Sequence, residues 1–236
     1  MNFSSKITNH AGYIKELEIL CDRLKAAGFR IQGTRLDIYR KTFATINKFL
    51  TENREDELIK KLPSPTFIND EFPDLTLPGL RVRIEKVLEG NRELAKETPE
   101  KGEPRNYLFE LVMAGLLKRA GFRIQLNRIE DIFVEFGDRP FFIECKRIHS
   151  QARLQERIDH AACQIGKCCD DARTPKARGV IAIDISKLLN PGARFLQCLT
   201  IEALSSVCES LLQTFRVMYN HQSFCTLRPV WPGRHV

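Results

Sequence analysis

In the run FFIECKRI (141–148), Glu144 and Lys146 stand two residues apart among apolar neighbours. Strand side chains alternate between faces, so Glu144, Lys146 and Phe142 would share one face, with Phe141, Ile143 and Cys145 on the other. A solvated ion pair would explain such a couple at little gain in stability. The preceding segment offers a chemical reason. EDIFVEFGDRPFFIECKR (130–147) reads as two apolar alternations around Gly137-Asp138, the pattern of a β-hairpin. With those two residues as the turn, Phe136 faces Arg139, opposed residue numbers sum to 275, and Asp131 comes to lie opposite Glu144. Opposed side chains share a face with Cβ atoms ~5 Å apart, so two carboxylates there repel. A divalent cation between them reverses that sign. Asp131 and Glu144, with a backbone carbonyl and waters, offer hard oxygen ligands suited to Mg²⁺. Lys146, one step along the same face, could meet a scissile phosphate or the attacking water. These are the parts that metal-assisted phosphodiester hydrolysis requires.

The elements around the hairpin must position those groups. YLFELVMAGLLKRAG (107–121) is an amphipathic helix closing on Gly121, and FRIQLNR (122–128) a strand. A helix from about Gln151 to Cys169 follows the hairpin, and then RGVIAIDI (178–185), a near-continuous apolar run of buried-strand type. TIEALSSVCESLLQTFRVMY (200–219) reads as a further helix and CTLRPVW (225–231) as a short last strand. Helix, three strands, helix, strand, helix describes an α/β domain with a mixed sheet.

The first hundred residues read as helices. Ile14, Leu17, Leu20 and Leu24 recur at helical spacing up to a stop at Gly28. A second helix follows Thr34 as N-cap, and a shorter one carries Leu58 and Ile59. LPSPTFINDEFPDLTLPGL (62–80) holds four prolines, which argues against any regular element there. RVRIEKVLEGNRELAKE (81–97) resumes as helix. The polar TPEKGEPRN (98–106) is the best candidate boundary, dividing a helical region, 1–104, from a site-bearing domain, 105–236. LKAAGFRIQ (24–32) and LKRAGFRIQ (117–125) differ at one position. Their shared content is ordinary grammar for leaving a helix: a basic last turn, a glycine cap and an aromatic anchor.

A carboxylate-bearing helix, an Asp-led strand and a strand carrying Glu-x-Lys together resemble the PD-(D/E)XK nuclease superfamily. FELVMAGLL, EDIFVEF and FFIECKR carry the likeness, over roughly Arg105 to Ser186. It implies a restriction-endonuclease-like fold, a mixed sheet flanked by helices with the helical region before it. It also implies Mg²⁺, replaceable by Mn²⁺, held by Asp131 and Glu144, and Lys146 as the catalytic lysine. Glu110 matches the further acid many members place near the metal, and Gln164 the glutamine some place beside the site. The pattern departs in one place: Glu130 stands where a proline often precedes the Asp. Glu135 and Asp184 are rival carboxylates.

Charge agrees with a polyanionic partner. The chain of 236 residues carries a formal +7, and between Lys146 and Arg178 eight Lys or Arg stand against four acids. Arg147, Arg153, Arg157 and Lys167 are therefore candidate nucleic-acid contacts, against the plainer reading of a solvated helix face. At 43% hydrophobic and 28% charged the chain can build a core and is not of disordered type. No apolar run approaches the ~20 residues of a membrane helix, and the start has no signal-type stretch; a cytoplasmic protein is expected. Its eight cysteines then read as free thiols. The spacing in HAACQIGKCC (160–169) matches no zinc motif.

The expectation is a metal-dependent nuclease, a DNA endonuclease by preference, whose helical region serves target recognition, partner binding or homodimerisation. The alternatives are a non-catalytic nucleic-acid-binding protein on the same fold and an interaction scaffold with merely solvated charges. His149, His160 and Trp231 are assigned no role.

Overall fold

The computed structural model describes residues 10–44, 67–89, 103–126, 131–172 and 174–189, with residues 206, 209, 210 and 213 beyond them. Helix α1 (His10–Ala26) buries Leu17, Leu20, Cys21 and Leu24, the i, i+3, i+4, i+7 stripe of an amphipathic helix. Helix α2 (Arg35–Ala44) is capped as its sequence predicts: the Asp37 amide donates to Thr34 Oγ1 at 3.4 Å, and the Asp37 carboxylate reaches back to the Gly33 amide at 3.1 Å. The expected helix at Leu58 and Ile59 lies outside the described residues.

A short helix, α3 (Phe67–Glu71), forms inside the proline-rich stretch where no regular element was expected. Pro65 and Pro73 bracket it rather than interrupt it. Buried Ile68 and Phe72 anchor it, and Arg23 of α1 donates to the Asn69 side chain and the Phe72 carbonyl. Helix α4 (Leu80–Leu88) buries Leu80, Ile84, Val87 and Leu88, and with them the arginine Arg83.

Helix α5 (Glu103–Arg119) leads into strand β1 (Arg123–Gln125), followed by β2 (Ile132–Phe136) and β3 (Arg139–Arg147). A 3₁₀ turn (Gln151–Arg153), helix α6 (Leu154–Asp171), strand β4 (Arg178–Asp184) and helix α7 (Ser186–Leu189) complete the order. The sheet runs β1-β2-β3-β4, antiparallel except for the parallel β3–β4 pair, the mixed sheet expected. The β2–β3 register is the predicted one: Phe136 pairs with Arg139, and the ladder continues to Ile132 with Ile143. Pro140, which lacks an amide to donate, sits one residue before β4 pairing begins at Phe141.

Each face of the sheet is covered. Ile124, Ile132, Val134, Ile143 and Cys145 join one continuous core with Leu111 and Ala114 of α5 and the buried residues of α1 to α4. On the other face, α6 turns Leu154, Ile158, Ala161, Ile165 and Cys168 inward. Gly179 is needed there, because a Cβ at this position would lie 1.9 Å from Ile165. β4 itself is less buried than its apolar run implied, with Gly179 and Val180 exposed.

The boundary expected at 104/105 falls within the first turn of α5, and the core runs across it from α1 to the sheet. The chain divides into Met1–Arg194 and Phe195–Val236; most of the second unit, with the expected last strand, lies outside the described residues, while Ser206, Glu209, Ser210 and Gln213 of the expected last helix are helical. No described helix is long and apolar enough to cross a membrane. The repeated string is a helix terminator used twice. Gly28 (φ 81°) and Gly121 (φ 88°) both sit in the left-handed region. Their amides donate three residues back, to Lys25 and Lys118, while Phe29 and Phe122 donate five back, to Leu24 and Leu117.

Gly179→Ala drives a methyl group into Ile165 and should lower stability by about 1–3 kcal/mol, read as a fall in the urea midpoint with the slope unchanged. A midpoint at or above that of the wild type would show that α6 does not press on β4 there.

Candidate active site

Ile132 and Ile143 are the last opposed pair of the β2–β3 ladder, and Asp131 occupies a bend immediately before β2. It is therefore one step beyond the strand in which it was expected. Its carboxylate nonetheless turns onto β3: Asp131 Oδ2 accepts the Cys145 amide at 2.6 Å. Glu144, next to that amide, is fully buried (0% exposed). Lys146 donates to Glu144 Oε2 at 2.6 Å, while Glu144 Oε1 is buried with no hydrogen-bond partner among the described residues. The predicted pairing of Glu144 with Lys146 is thus present, as a half-shielded ion pair rather than a solvated one.

Glu110 arrives from α5. It lines a cavity of about 170 Å³ together with Asp131, Lys146, Tyr107, His149 and Arg157. Its Oε2 accepts from Arg83 Nε at 2.8 Å, and both side chains are 7% exposed. The same guanidinium donates to the Asp131 carbonyl at 2.9 Å and to the Gly79 carbonyl at 3.3 Å. Arg83 was absent from the expected set. The signal that could have found it is its place in LRVRIEKVL, between Leu80 and Val87 on the apolar stripe, where an arginine needs a buried partner.

The electrostatics follow from crowding. Burial, with Asp131 as the next cause, outweighs the Arg83 guanidinium and pushes Glu110 up to about 8. Burial and then the Asp131 charge raise Glu144 against the opposing Lys146. Cys145 is raised by burial and by the fields of Asp131, Glu110 and Glu144 together, which fits a buried hydrophobe and not a nucleophile.

Other expected groups separate. Glu135 is exposed and pairs with Pro140 toward the hairpin tip, four residues from Asp131, about 13 Å along a strand. Asp184 is taken up by structure: its Oδ2 accepts from Arg147 Nε at 2.6 Å and its Oδ1 from the Ser186 amide at 2.8 Å. Arg147, expected as a nucleic-acid contact, is consequently only 6% exposed in its side chain, although it borders the cavity. Arg157 is exposed and at the cavity; Arg153 and Lys167 are exposed but away from its lining. Gln164 is half-buried with Oε1 unpartnered among the described residues, and stands outside that lining. Glu130 lies outside the described residues. Cys163 and Cys169 are free thiols.

Among the described residues no group of three or more His, Cys, Asp or Glu side chains is arranged to hold a metal ion as it stands. One oxygen each of Glu110, Asp131 and Glu144 is engaged by Arg83, the Cys145 amide and Lys146. Compared with known proteins, the chain matches no family model, no curated protein and no solved structure at a significant level.

The raised Glu110 gives a pH signature. The unfolded carboxyl releases its proton near the ordinary 4.5, and the folded one near 8. Between those values the folded state holds the extra proton, so stability falls as pH rises, by up to about 1.4 kcal/mol per pH unit, and levels off above. In EDTA, the urea midpoint of the wild type should drop from pH 5 to pH 8 relative to Glu110→Gln. Parallel curves for the two proteins would place an ordinary carboxyl at 110.

Proposed function

We propose that the chain is a divalent-metal-dependent nuclease of restriction-endonuclease-like fold, hydrolysing phosphodiester bonds with DNA as its substrate. The order α5, β1 to β3, α6, β4 supports the fold part of this reading. The observation that carries the chemistry is Glu144, a fully buried carboxylate with one oxygen on Lys146 and the other without a partner among the described residues. A buried acceptor left unmatched costs on the order of 1–3 kcal/mol. An apolar residue would avoid that cost, so its presence beside Asp131 and Glu110 fits a site kept for a cation.

Asp131, Glu144 and Glu110 would hold the metal, an all-oxygen set suited to Mg²⁺ or Mn²⁺. When bound, such an ion supplies positive charge to the phosphoryl oxygens and acidifies a water. In the hydrolysis, the water oxygen forms a bond to phosphorus, the P–O ester bond opposite it breaks, and the water proton passes to the leaving oxygen. Lys146 has three N–H donors and uses one on Glu144, so two remain to meet the negative charge that grows on the phosphate. Arg157, exposed at the cavity, is suited to a flanking phosphate. His149 also borders the cavity and needs no role in this scheme.

A binding-only protein on the same fold is favoured by one observation, the engagement of an oxygen of every acid by a donor of the chain itself. Cleavage of labelled nucleic acids with Mg²⁺ and with EDTA separates the two. Lys146→Ala should slow cleavage by at least about 100-fold while binding is largely kept. Asp131→Asn should also stop cleavage, yet tighten metal-free binding by removing a charge that faces phosphate. Cleavage by Lys146→Ala at the wild-type rate would refute the catalytic assignment. A wild type that binds but cuts no substrate with any divalent metal would leave the binding-only reading.

Salt dependence tests the contact surface. Neutralising Arg157 should reduce the slope of log K against log salt by about 1, and Arg147→Gln should leave it unchanged, since Asp184 already holds that side chain. A slope insensitive to Arg157 would move the nucleic-acid surface away from the cavity.

A further inference from the structure

We infer that Arg83 is a positioning residue of the candidate site, so that the helical region completes the metal-binding arrangement instead of merely adjoining it. The inference rests on the metal-dependent reading above and names the residue that sets its geometry.

Glu110 is on α5 and Asp131 on the approach to β2, and no ladder joins these two segments at the site. Arg83 bridges them. Nε holds the Glu110 carboxylate at 2.8 Å, one terminal nitrogen the Asp131 carbonyl at 2.9 Å, and the other the Gly79 carbonyl at 3.3 Å. A planar guanidinium with three anchors has no remaining freedom to turn, so the distance between Glu110 and the Asp131 backbone is set by its width.

A second, independent feature serves the same bridge. Gly79, at the start of α4, has φ 77°, and a Cβ there would lie 2.0 Å from the Leu126 carbonyl oxygen and 3.0 Å from the Arg83 guanidinium. The chain comes this close because α4 is seated directly against the end of β1, on the path toward Asp131. Arg83 thus reaches the site from a helix whose own seating requires the absence of a side chain.

Arg83→Lys is the informative change. It keeps the charge, so any effect reports lost geometry, because an ammonium cannot span the three acceptors in one plane. Mn²⁺ alone, titrated into the full chain and followed by calorimetry, is the readout. Arg83→Lys should weaken Mn²⁺ binding by about 10-fold, the range seen when groups that orient metal ligands are removed. In a Glu110→Gln background the same change should alter binding less than about twofold, since the group it orients is already gone. Equal losses in both backgrounds, or Arg83→Lys binding Mn²⁺ like the wild type, would overturn the inference. If Arg83→Lys does not fold, Arg83→Gln is read by the same two comparisons. A wild type that takes up no Mn²⁺, or an Asp131→Asn/Glu144→Gln chain that takes it up undiminished, would overturn the metal-site reading itself.

Discussion

Three carboxylates near enough to act on one another, Glu110 and Asp131 lining the cavity and buried Glu144 outside its lining, repel, and the groups around them answer that repulsion. Each acid has one oxygen held by a donor of the chain: Glu110 by Arg83 of α4, and Asp131 and Glu144 by the Cys145 amide and Lys146 of β3. Burial first, and the neighbouring acids after it, outweigh two full charges and a peptide dipole, so Glu110 and Glu144 remain raised. Breaking a buried pair such as Arg83–Glu110 typically costs about 3–5 kcal/mol, so α4 and α5 are tied together where chemistry is proposed.

Glycine and proline fall where the backbone comes close to a neighbour or lacks one. Gly79 admits the start of α4 to the Leu126 carbonyl, and Gly179 admits α6 to the sheet. Pro140 stands where β3 has no partner on its β4 side. These positions hold the helices of the two layers close to the sheet, and the carboxylates are brought together at the end of that sheet where β2 begins.

The hairpin was legible because a two-residue turn and period-two alternation leave one register, which holds from Phe136–Arg139 to Ile132–Ile143; counting one step further put Asp131 opposite Glu144, where the strand has already given way to a bend. Lys146 was legible from its place one step from Glu144 on the same face, Glu110 through resemblance, and the structure brings both to the cavity. Arg83 was not, because its partner lies 27 residues away and only three-dimensional packing connects them. For Arg147, pointing away from Glu144, a structural role and a remote phosphate contact were both open from sequence; its β4 neighbour in the parallel ladder is Asp184, a pairing that strand periodicity on one chain segment cannot reveal. The boundary expected at 104 falls inside a helix. A polar, proline-containing segment marks a break only if it is not drawn into a helix, and α5 starts at Glu103 with Pro104 in its first turn, where proline is tolerated.

Leu24–Gln32 and Leu117–Gln125 share all but one residue and leave their helices by the same cap, with Ile31 and Ile124 buried alike. Only the second becomes a strand. The local chain is therefore indifferent between loop and strand, and β1 exists because β2 offers it amides and carbonyls to pair with. Three residues at the rim of the described sheet, with no conformational preference of their own, are the segment that can peel away at the least cost. Amide exchange at β1 would then run ahead of the rest of the sheet. Each such opening would unzip the outer flank of β2 while its inner flank stays bonded to β3, leaving the acid-bearing hairpin intact.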